Sequence, residues 1–220
     1  QMKIFIPMAG KGTRLRPFTL TKPKPLLDII DKPIVEHLIY QITSTLSTDV
    51  KEIIYILGDE AYFNSTVVES LTAISKKYNA KTMIYRQLEQ LGTGHAIMCA
   101  KESLSGPSII AYADTMIHGK VEINPRVDGM IWVKKVKNPS SYGVVKLDKD
   151  SNVRDLIEKP KDFISDLAVV GIYYFKEISI LRDELKLHLK DQLDPGKEYL
   201  LNYGIEKMIE KNKIFKSQEI

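Results

Sequence analysis

The chain predicts a doubly wound α/β fold, and three observations carry the prediction. Short apolar runs at residues 3–7, 52–57, 82–85 and 108–113 alternate with stretches whose apolar residues recur at helical spacing. This strand–helix alternation occurs three times before a fourth strand, which implies a mostly parallel sheet with helices on both faces. After Asp114 the rhythm changes to strands with few helices between them, so the second half should add a strand-rich wall.

Residues 3–7 (KIFIP) form a short apolar run that ends in a glycine-bearing loop, the mark of a buried strand. Ile34, Leu38, Ile42 and Leu46, with Val35 and Ile39 beside them, share one helical face; Pro33 suits the first turn and Asp31 a cap. Residues 52–57 (EIIYIL) are the next strand, stopped by Gly58. A helix over 61–78 buries Val67, Val68, Leu71 and Ile74. A strand at 82–85 follows, then a helix over 93–101 entered from Gly92, then the strand 108–113 ending at Asp114. The second half predicts strands at 130–136, 143–147, 153–158 and 167–175. Helices at 178–190 (Ile178, Leu181, Leu185, Leu189 in register) and 200–211 follow. We therefore expect one domain over 1–220, with a nucleotide-sized half at about 1–116 and a second half at about 117–220.

Composition narrows the function. With 220 residues, 44% of them hydrophobic, the chain is long enough for a sizeable core. A net charge of +4 without any run of five basic residues points to small anions and away from nucleic acid. The one cysteine, Cys99, excludes an internal disulfide. Neither a leader nor an 18-residue apolar stretch is visible, so no membrane partner and a cytoplasmic location are expected. Asn64-Ser65-Thr66 matches the glycosylation triplet and reads as a coincidence beside a helix.

Ligands of open α/β sheets sit beyond the carboxyl ends of the strands, so the loops after Pro7, Arg86 and Ala113 should converge on one cleft. Gly10-Lys11-Gly12-Thr13-Arg14 follows the first strand. Its glycines let backbone amides approach phosphate oxygens, and Arg14 adds a fork of donors. A dinucleotide fingerprint would need a third glycine where Leu15 stands, and a Walker sequence is absent. In Thr21-Lys22-Pro23-Lys24-Pro25-Leu26-Leu27 two prolines stiffen the backbone on either side of Lys24 and aim it.

A strand, then Gly-x-Gly-Thr-Arg-Leu-x-Pro, then Lys-Pro-Leu resembles the sugar-1-phosphate nucleotidyltransferases. Gln87-Leu88-Glu89-Gln90-Leu91-Gly92-Thr93-Gly94-His95-Ala96 is similar to the base-binding segment of N-acetylglucosamine-1-phosphate uridylyltransferases, and glucose-1-phosphate thymidylyltransferases carry a looser relative of it. Asp114, Tyr142-Gly143-Val144-Val145, Glu158-Lys159-Pro160 and Val170-Gly171-Ile172-Tyr173 follow in the family's order, so the likeness covers nearly the whole chain. The resemblance implies a Rossmann-like three-layer nucleotide-diphospho-sugar transferase fold and a direct displacement. In it a sugar 1-phosphate attacks the α-phosphorus of UTP or dTTP and pyrophosphate leaves. GTP with mannose 1-phosphate, CTP with phosphocholine, and a non-catalytic nucleotide-sugar-binding module stand as alternatives.

By the same resemblance Met8, Ala9, Gly10, Gly12 and Thr13 line the nucleoside and phosphates, and Gln87, Gly92 and Thr93 read the base. Arg14 holds the departing pyrophosphate, Lys24 lies by the α-phosphate, and Asp114 binds Mg²⁺, these three forming the catalytic set. Gly143, Glu158, Lys159 and Val170 hold the sugar phosphate. A glutamine can pair with both a donor and an acceptor of uracil or thymine.

Three departures from the family pattern stand out. Ala113 replaces the usual Gly before the metal-binding Asp, and Tyr203 stands where many relatives have Asp. The family's second metal-binding Asp commonly lies in a Trp-x-Asp-x-Gly segment past a strand like residues 213–216, and the chain ends at Ile220. From this we expect the 220-residue form to bind metal weakly and turn over slowly. Longer thymidylyltransferases assemble through extra C-terminal elements, so a monomer or dimer is expected. His95 reads as helix surface or as support behind the site, and Cys99 and Trp132 as core. His37, His118 and His188 receive no role.

Overall fold

The computed structural model describes residues 1–191 and 196–220. In chain order the strands are β1 (Met2–Pro7), β2 (Asp28–Ile29), β3 (Lys32–Pro33), β4 (Val50–Leu57), β5 (Lys81–Arg86), β6 (Ser108–Ala111), β7 (Gly129–Lys135), β8 (Gly143–Leu147), β9 (Val153–Glu158), β10 (Leu167–Phe175) and β11 (Phe215–Glu219). The helices are α1 (Ile34–Thr43), α2 (Ser65–Lys77), α3 (Thr93–Cys99), α4 (Ile178–Asp191) and α5 (Leu201–Glu210).

The main sheet runs β11-β7-β10-β6-β1-β4-β5. β1 pairs parallel with β4 and β6, β4 with β5, and β11 with β7; only β10 runs against its neighbours in this path. The mostly parallel sheet expected from the sequence is therefore present. Alternation of side chains across β1 sends Ile4 and Ile6 to one face and Phe5 to the other. The first face packs on α1 and α2 through Val35, Ile39, Leu71 and Ile74. The opposite face packs on α3, α4 and α5 through Ile97, Leu181, Leu185 and Ile205. Trp132 is fully buried, as expected of a core residue.

Several boundaries differ from expectation for identifiable reasons. Helix α1 starts at Ile34, because residues 28–33 fold into the small β2–β3 hairpin; Asp31 lies in that turn and caps nothing, and Leu46 falls beyond the helix end. Helix α2 starts at Ser65, where the Asn64 side chain accepts from Val67 N at 3.2 Å, so the asparagine of the glycosylation triplet serves as a helix cap. Strand β6 stops at Ala111, since Tyr112 N donates to Gly171 O at 3.0 Å and the chain then turns at Thr115. Helix α3 ends at Cys99 and tightens into a 3₁₀ turn at Lys101–Ser103.

Two features of the topology make room for ligands. The chain leaves β1 toward β4 on one side, while β6 lies on the other. The crevice beyond the carboxyl ends of β1 and β6 is thus the switch point of the sheet. Farther along, β10 pairs with β8 at Ala168 but with β6 only from Ile172 onward, and its pairing with β7 shifts register between Val169 and Tyr173. Val170 and Gly171 lie in that irregular stretch. The bulge keeps β6 and β8 apart and leaves a gap between them.

Candidate active site

The crevice at the switch point is a cleft of about 460 Å³ lined by Pro7, Met8, Gly10, Lys11, Gly12, Thr13, Arg14, Lys24, Pro25, Tyr112, Ala113 and Asp114. Its floor is the end of β1, and its rim is the glycine loop. Gly12 sits at φ 59°, and a Cβ there would come within 3.1 Å of Lys24 Cβ and 3.2 Å of Thr19 Cγ2, so the loop can close over Lys24 only without a side chain. The buried Thr19 hydroxyl donates to Gly12 O at 2.8 Å. The Tyr62 hydroxyl reaches Thr19 O at 2.5 Å and the Lys22 and Lys11 carbonyls at 3.3 and 3.4 Å, fastening the loop from outside.

The cations within this cleft differ in their pairing. Lys24 follows Pro23 in a 3₁₀ turn, and its Nζ lies 3.0 Å from Asp114 Oδ2. Among the described residues no acid pairs with Arg14, although Lys11 pairs with Asp59 at 3.5 Å on the rim. A guanidinium and an ammonium facing a cleft with bare glycine backbone make a receptor for a polyanion.

The gap at the β10 bulge is a second cavity, of about 340 Å³, and Tyr112 and Asp114 line it as well as the first. Gly143, Glu158, Val170, Gly171, Thr93, Thr115 and Asn202 also face it. Gly171 is at φ 94°; a Cβ there would meet Tyr112 Cδ2 at 2.7 Å and Thr115 Oγ1 at 3.0 Å. Asn202 Nδ2 donates to Glu158 Oε2 at 3.1 Å, and Thr115 Oγ1 donates to Val170 O at 3.2 Å. Burial pushes the Tyr112 phenol up to about 12, against the neighbouring Thr93 hydroxyl, and burial also raises Tyr173. Both phenols remain neutral hydrogen-bonding groups at the back of the cavity.

The residues expected at a site thus distribute as follows. Met8, Gly10, Gly12, Thr13, Arg14, Lys24 and Asp114 share the first cleft, while Ala9 lies buried beside it, its carbonyl close against Gly58. Gly143, Glu158, Val170 and also Thr93 face the second cavity. Lys159 is exposed at φ 42° and lines neither, although its backbone N bonds Tyr142 O at 3.0 Å. Gln87 and Gly92 line neither cavity. The Gln87 amide turns inward, with Nε2 at 3.2 Å from Gly92 O and 3.1 Å from His95 Nδ1.

The glycine turn after Gln87 is also a docking point for the C-terminal half. Tyr199 N donates to Leu91 O at 2.8 Å, Gly94 N to Tyr199 O at 2.6 Å, and Leu201 N to Thr93 Oγ1 at 2.9 Å. The last bond caps α5 from another helix, since no side chain of its own does so. Tyr203 stacks on His188 at 3.6 Å between ring centroids and joins α5 to α4. Sequence reasoning missed Tyr112, Thr115 and Asn202 as lining residues. Asn202, a polar residue opening an otherwise apolar helix turn, was the one with a visible signal.

The fold is an α/β sheet with a cationic cleft beside a polar cavity at its switch point, and the chain belongs to the nucleotidyl transferase family, which it matches over residues 5–217. It is 34% identical over 174 residues to the bifunctional protein GlmU of Methanococcus maripaludis, covering 78% of this chain and 39% of that protein. It is 31% identical over 193 residues to the mannose-1-phosphate guanylyltransferase catalytic subunit beta of Drosophila melanogaster, covering 84% of this chain and 51% of that one. The chain therefore spans about half or less of the length of these relatives. In fold it is similar to a nucleoside-diphosphate-sugar pyrophosphorylase from Vibrio cholerae RC9, with a TM-score of 0.82, 20% identity, and 99% and 91% of the two chains covered. No helix among the described residues is long and apolar enough to cross a membrane.

Proposed function

We propose that the chain is a single nucleotidyltransferase domain that joins a nucleoside triphosphate, UTP or dTTP, to a sugar 1-phosphate and releases pyrophosphate. One observation carries the reading. The cationic cleft and the polar second cavity are separate spaces that meet at Asp114 and Tyr112. A triphosphate in the first and a sugar phosphate in the second would bring two anions together beside Lys24, whose Nζ is 3.0 Å from Asp114.

The reaction needs no protein nucleophile. A phosphate oxygen of the sugar phosphate forms a bond to the α-phosphorus as the bond from that phosphorus to the bridging oxygen breaks, and the electron pair departs with pyrophosphate. The attacking oxygen is already ionised near neutral pH. The protein's task is to align two anions and absorb charge. Arg14 receives the departing pyrophosphate. Lys24 leaves Asp114 for the α-phosphate. Met8, Ala9, Gly10, Gly12 and Thr13 supply backbone contacts to the nucleotide, and Gln87, Gly92 and Thr93 address the base. Gly143 and Glu158 hold sugar hydroxyls, Val170 edges the sugar pocket, and Lys159 holds the sugar's phosphate.

The donors suit Mg²⁺ of one particular kind. Among the described residues no three His, Cys, Asp or Glu converge to cage a metal. Mg²⁺ typically takes one or two carboxylates and completes its shell with waters and substrate phosphates, so Asp114 at the mouth of the phosphate cleft fits it. When bound there it supplies charge neutralisation for the phosphates.

A pyrophosphate-release assay with UTP, dTTP, GTP and CTP against a panel of sugar 1-phosphates tests the reading. Release with UTP or dTTP is expected; no release with any pair overturns it. A second reading, GTP with mannose 1-phosphate, draws on the Drosophila relative, and the same assay separates it.

A further inference from the structure

The Gln87 amide has an assignable direction. Its Nε2 lies 3.2 Å from the Gly92 carbonyl, which can only accept, so the nitrogen of the amide faces that oxygen. The same Nε2 lies 3.1 Å from His95 Nδ1. Because Nε2 brings hydrogens, Nδ1 must be the acceptor, and the imidazole proton sits on its other nitrogen. Burial is the largest influence on His95 and lowers its pKa, against the opposing charge of Glu89, so the neutral ring this geometry requires prevails near neutral pH. Both amide hydrogens of Gln87 are thereby committed inward. The Oε1 is left. It accepts no hydrogen bond from the described residues, and it is not among their sealed polar atoms that lack a partner. The residue as a whole is 4% exposed, so its side chain has little room to rotate.

We propose that His95 is a positioning residue for base selection: it pins the Gln87 amide so that only the acceptor Oε1 is offered to the nucleobase. The proposal rests on the nucleotidyltransferase reading above and deepens it. Residue type alone lets a glutamine act as donor or acceptor; this geometry removes the donor role. An acceptor selects a ring N–H, which uracil and thymine carry at N3 and guanine at N1. Cytosine and adenine present a bare lone pair at the corresponding ring nitrogen, and that lone pair repels Oε1.

The test is calorimetric titration of UTP and of CTP, each with Mg²⁺, into the 220-residue chain and into two variants. The wild type should bind UTP about tenfold tighter than CTP, the effect of one hydrogen bond exchanged for a repulsive contact. His95→Phe keeps the bulk of the ring but offers no acceptor, and the preference should fall to about twofold or less. His95→Asn sets an amide oxygen near the place of Nδ1 and should retain it, although it leaves more empty volume than Phe, so selectivity would follow the acceptor and not the packing. An undiminished preference in His95→Phe overturns the role of His95, and equal binding of UTP and CTP by the wild type overturns the acceptor assignment. Failure to bind UTP, dTTP, GTP or CTP at all overturns the underlying nucleotide reading instead. Should either variant not fold, nitrogen NMR of the wild-type ring decides the orientation independently: an unprotonated Nδ1 is expected, and a proton on Nδ1 sinks the proposal.

Discussion

The two cavities that meet at Asp114 are built on opposite plans. In the first, the protein leaves part of its charge uncompensated: Arg14 has no acidic partner among the described residues, while Lys24 pairs with the half-exposed Asp114 and Lys11 with Asp59 on the rim. In the second, the polar groups satisfy one another, Asn202 with Glu158 and Thr115 with the Val170 carbonyl, over buried phenols that stay neutral. The difference follows from what each would receive. A triphosphate brings charge, so cations held ready for it would be neutralised by prior pairing. A sugar ring brings hydroxyls, each both donor and acceptor, and these can insert into an existing network at little electrostatic cost. The shared carboxylate sits where the two plans meet.

The largest test of this contrast falls on the charged side. Lys24→Ala should lower kcat by about 10²–10³, the usual effect of losing one donor that answers developing charge. Its melting temperature should stay near wild type, because the Lys24–Asp114 pair is largely exposed and such pairs contribute little to folding. Turnover at the wild-type rate would remove Lys24 from the chemistry and leave the cleft a mere anion trap.

Next comes the backbone that opens the second cavity. Gly171→Ala would place a Cβ 2.7 Å from Tyr112 Cδ2 at φ 94°. We expect a loss of about 2–3 kcal/mol in urea unfolding, from strain and crowding together. Any residual activity should show the KM for sugar phosphate raised more than that for nucleotide. Equal changes in both KM values would mean that the two cavities are not energetically separate.

How much of this was legible beforehand also divides along the same line. The first cleft is built from residues close in sequence: a strand end, a glycine loop and an aimed lysine. Local patterns therefore expose it, and only Tyr112, Ala113 and Asp114 come from far away. The second cavity depends on pairings made at long range, Tyr112 with Gly171 and Glu158 with Asn202, and on a register shift inside β10 that no local periodicity records. The mostly parallel character of the sheet was readable from strand–helix alternation, whereas the order of its strands was not. The ends of α1 and β6 were not, since the β2–β3 hairpin and the Tyr112–Gly171 bond decide them. The orientation of Gln87 was equally hidden, because it depends on a carbonyl and an imidazole brought together by the turn into α3.

A smaller effect should mark the self-paired side. Asn202→Ala removes the donor to Glu158 Oε2, a bond of 3.1 Å. One hydrogen bond between exposed partners contributes about 1 kcal/mol or somewhat more when one is charged, so the KM for sugar phosphate should rise about fivefold. The KM for the triphosphate should not move. A rise in the triphosphate KM alone would reverse the assignment of the two cavities.

The finest distinction concerns how each side is held in shape. The second cavity is framed by strands, but the first depends on a loop fastened from outside by the Tyr62 phenol, whose hydroxyl lies 2.5 Å from Thr19 O and 3.3 Å from Lys22 O. Tyr62→Phe keeps the ring, and with it the edge-to-face contact to Phe63 at 5.1 Å, while deleting only the hydroxyl. Stability should fall by about 0.5–1.5 kcal/mol, the net contribution of such a bond. More tellingly, the KM for the triphosphate should rise about threefold as the loop bearing Gly12 and Lys24 samples more positions, with the sugar-phosphate KM unaffected. Stopped-flow binding of a fluorescent nucleotide would locate that loss in the dissociation rate. If both KM values stay at wild type while stability drops, the phenol holds the fold and the cleft is rigid without it, and the comparison between a framed cavity and a fastened one no longer stands.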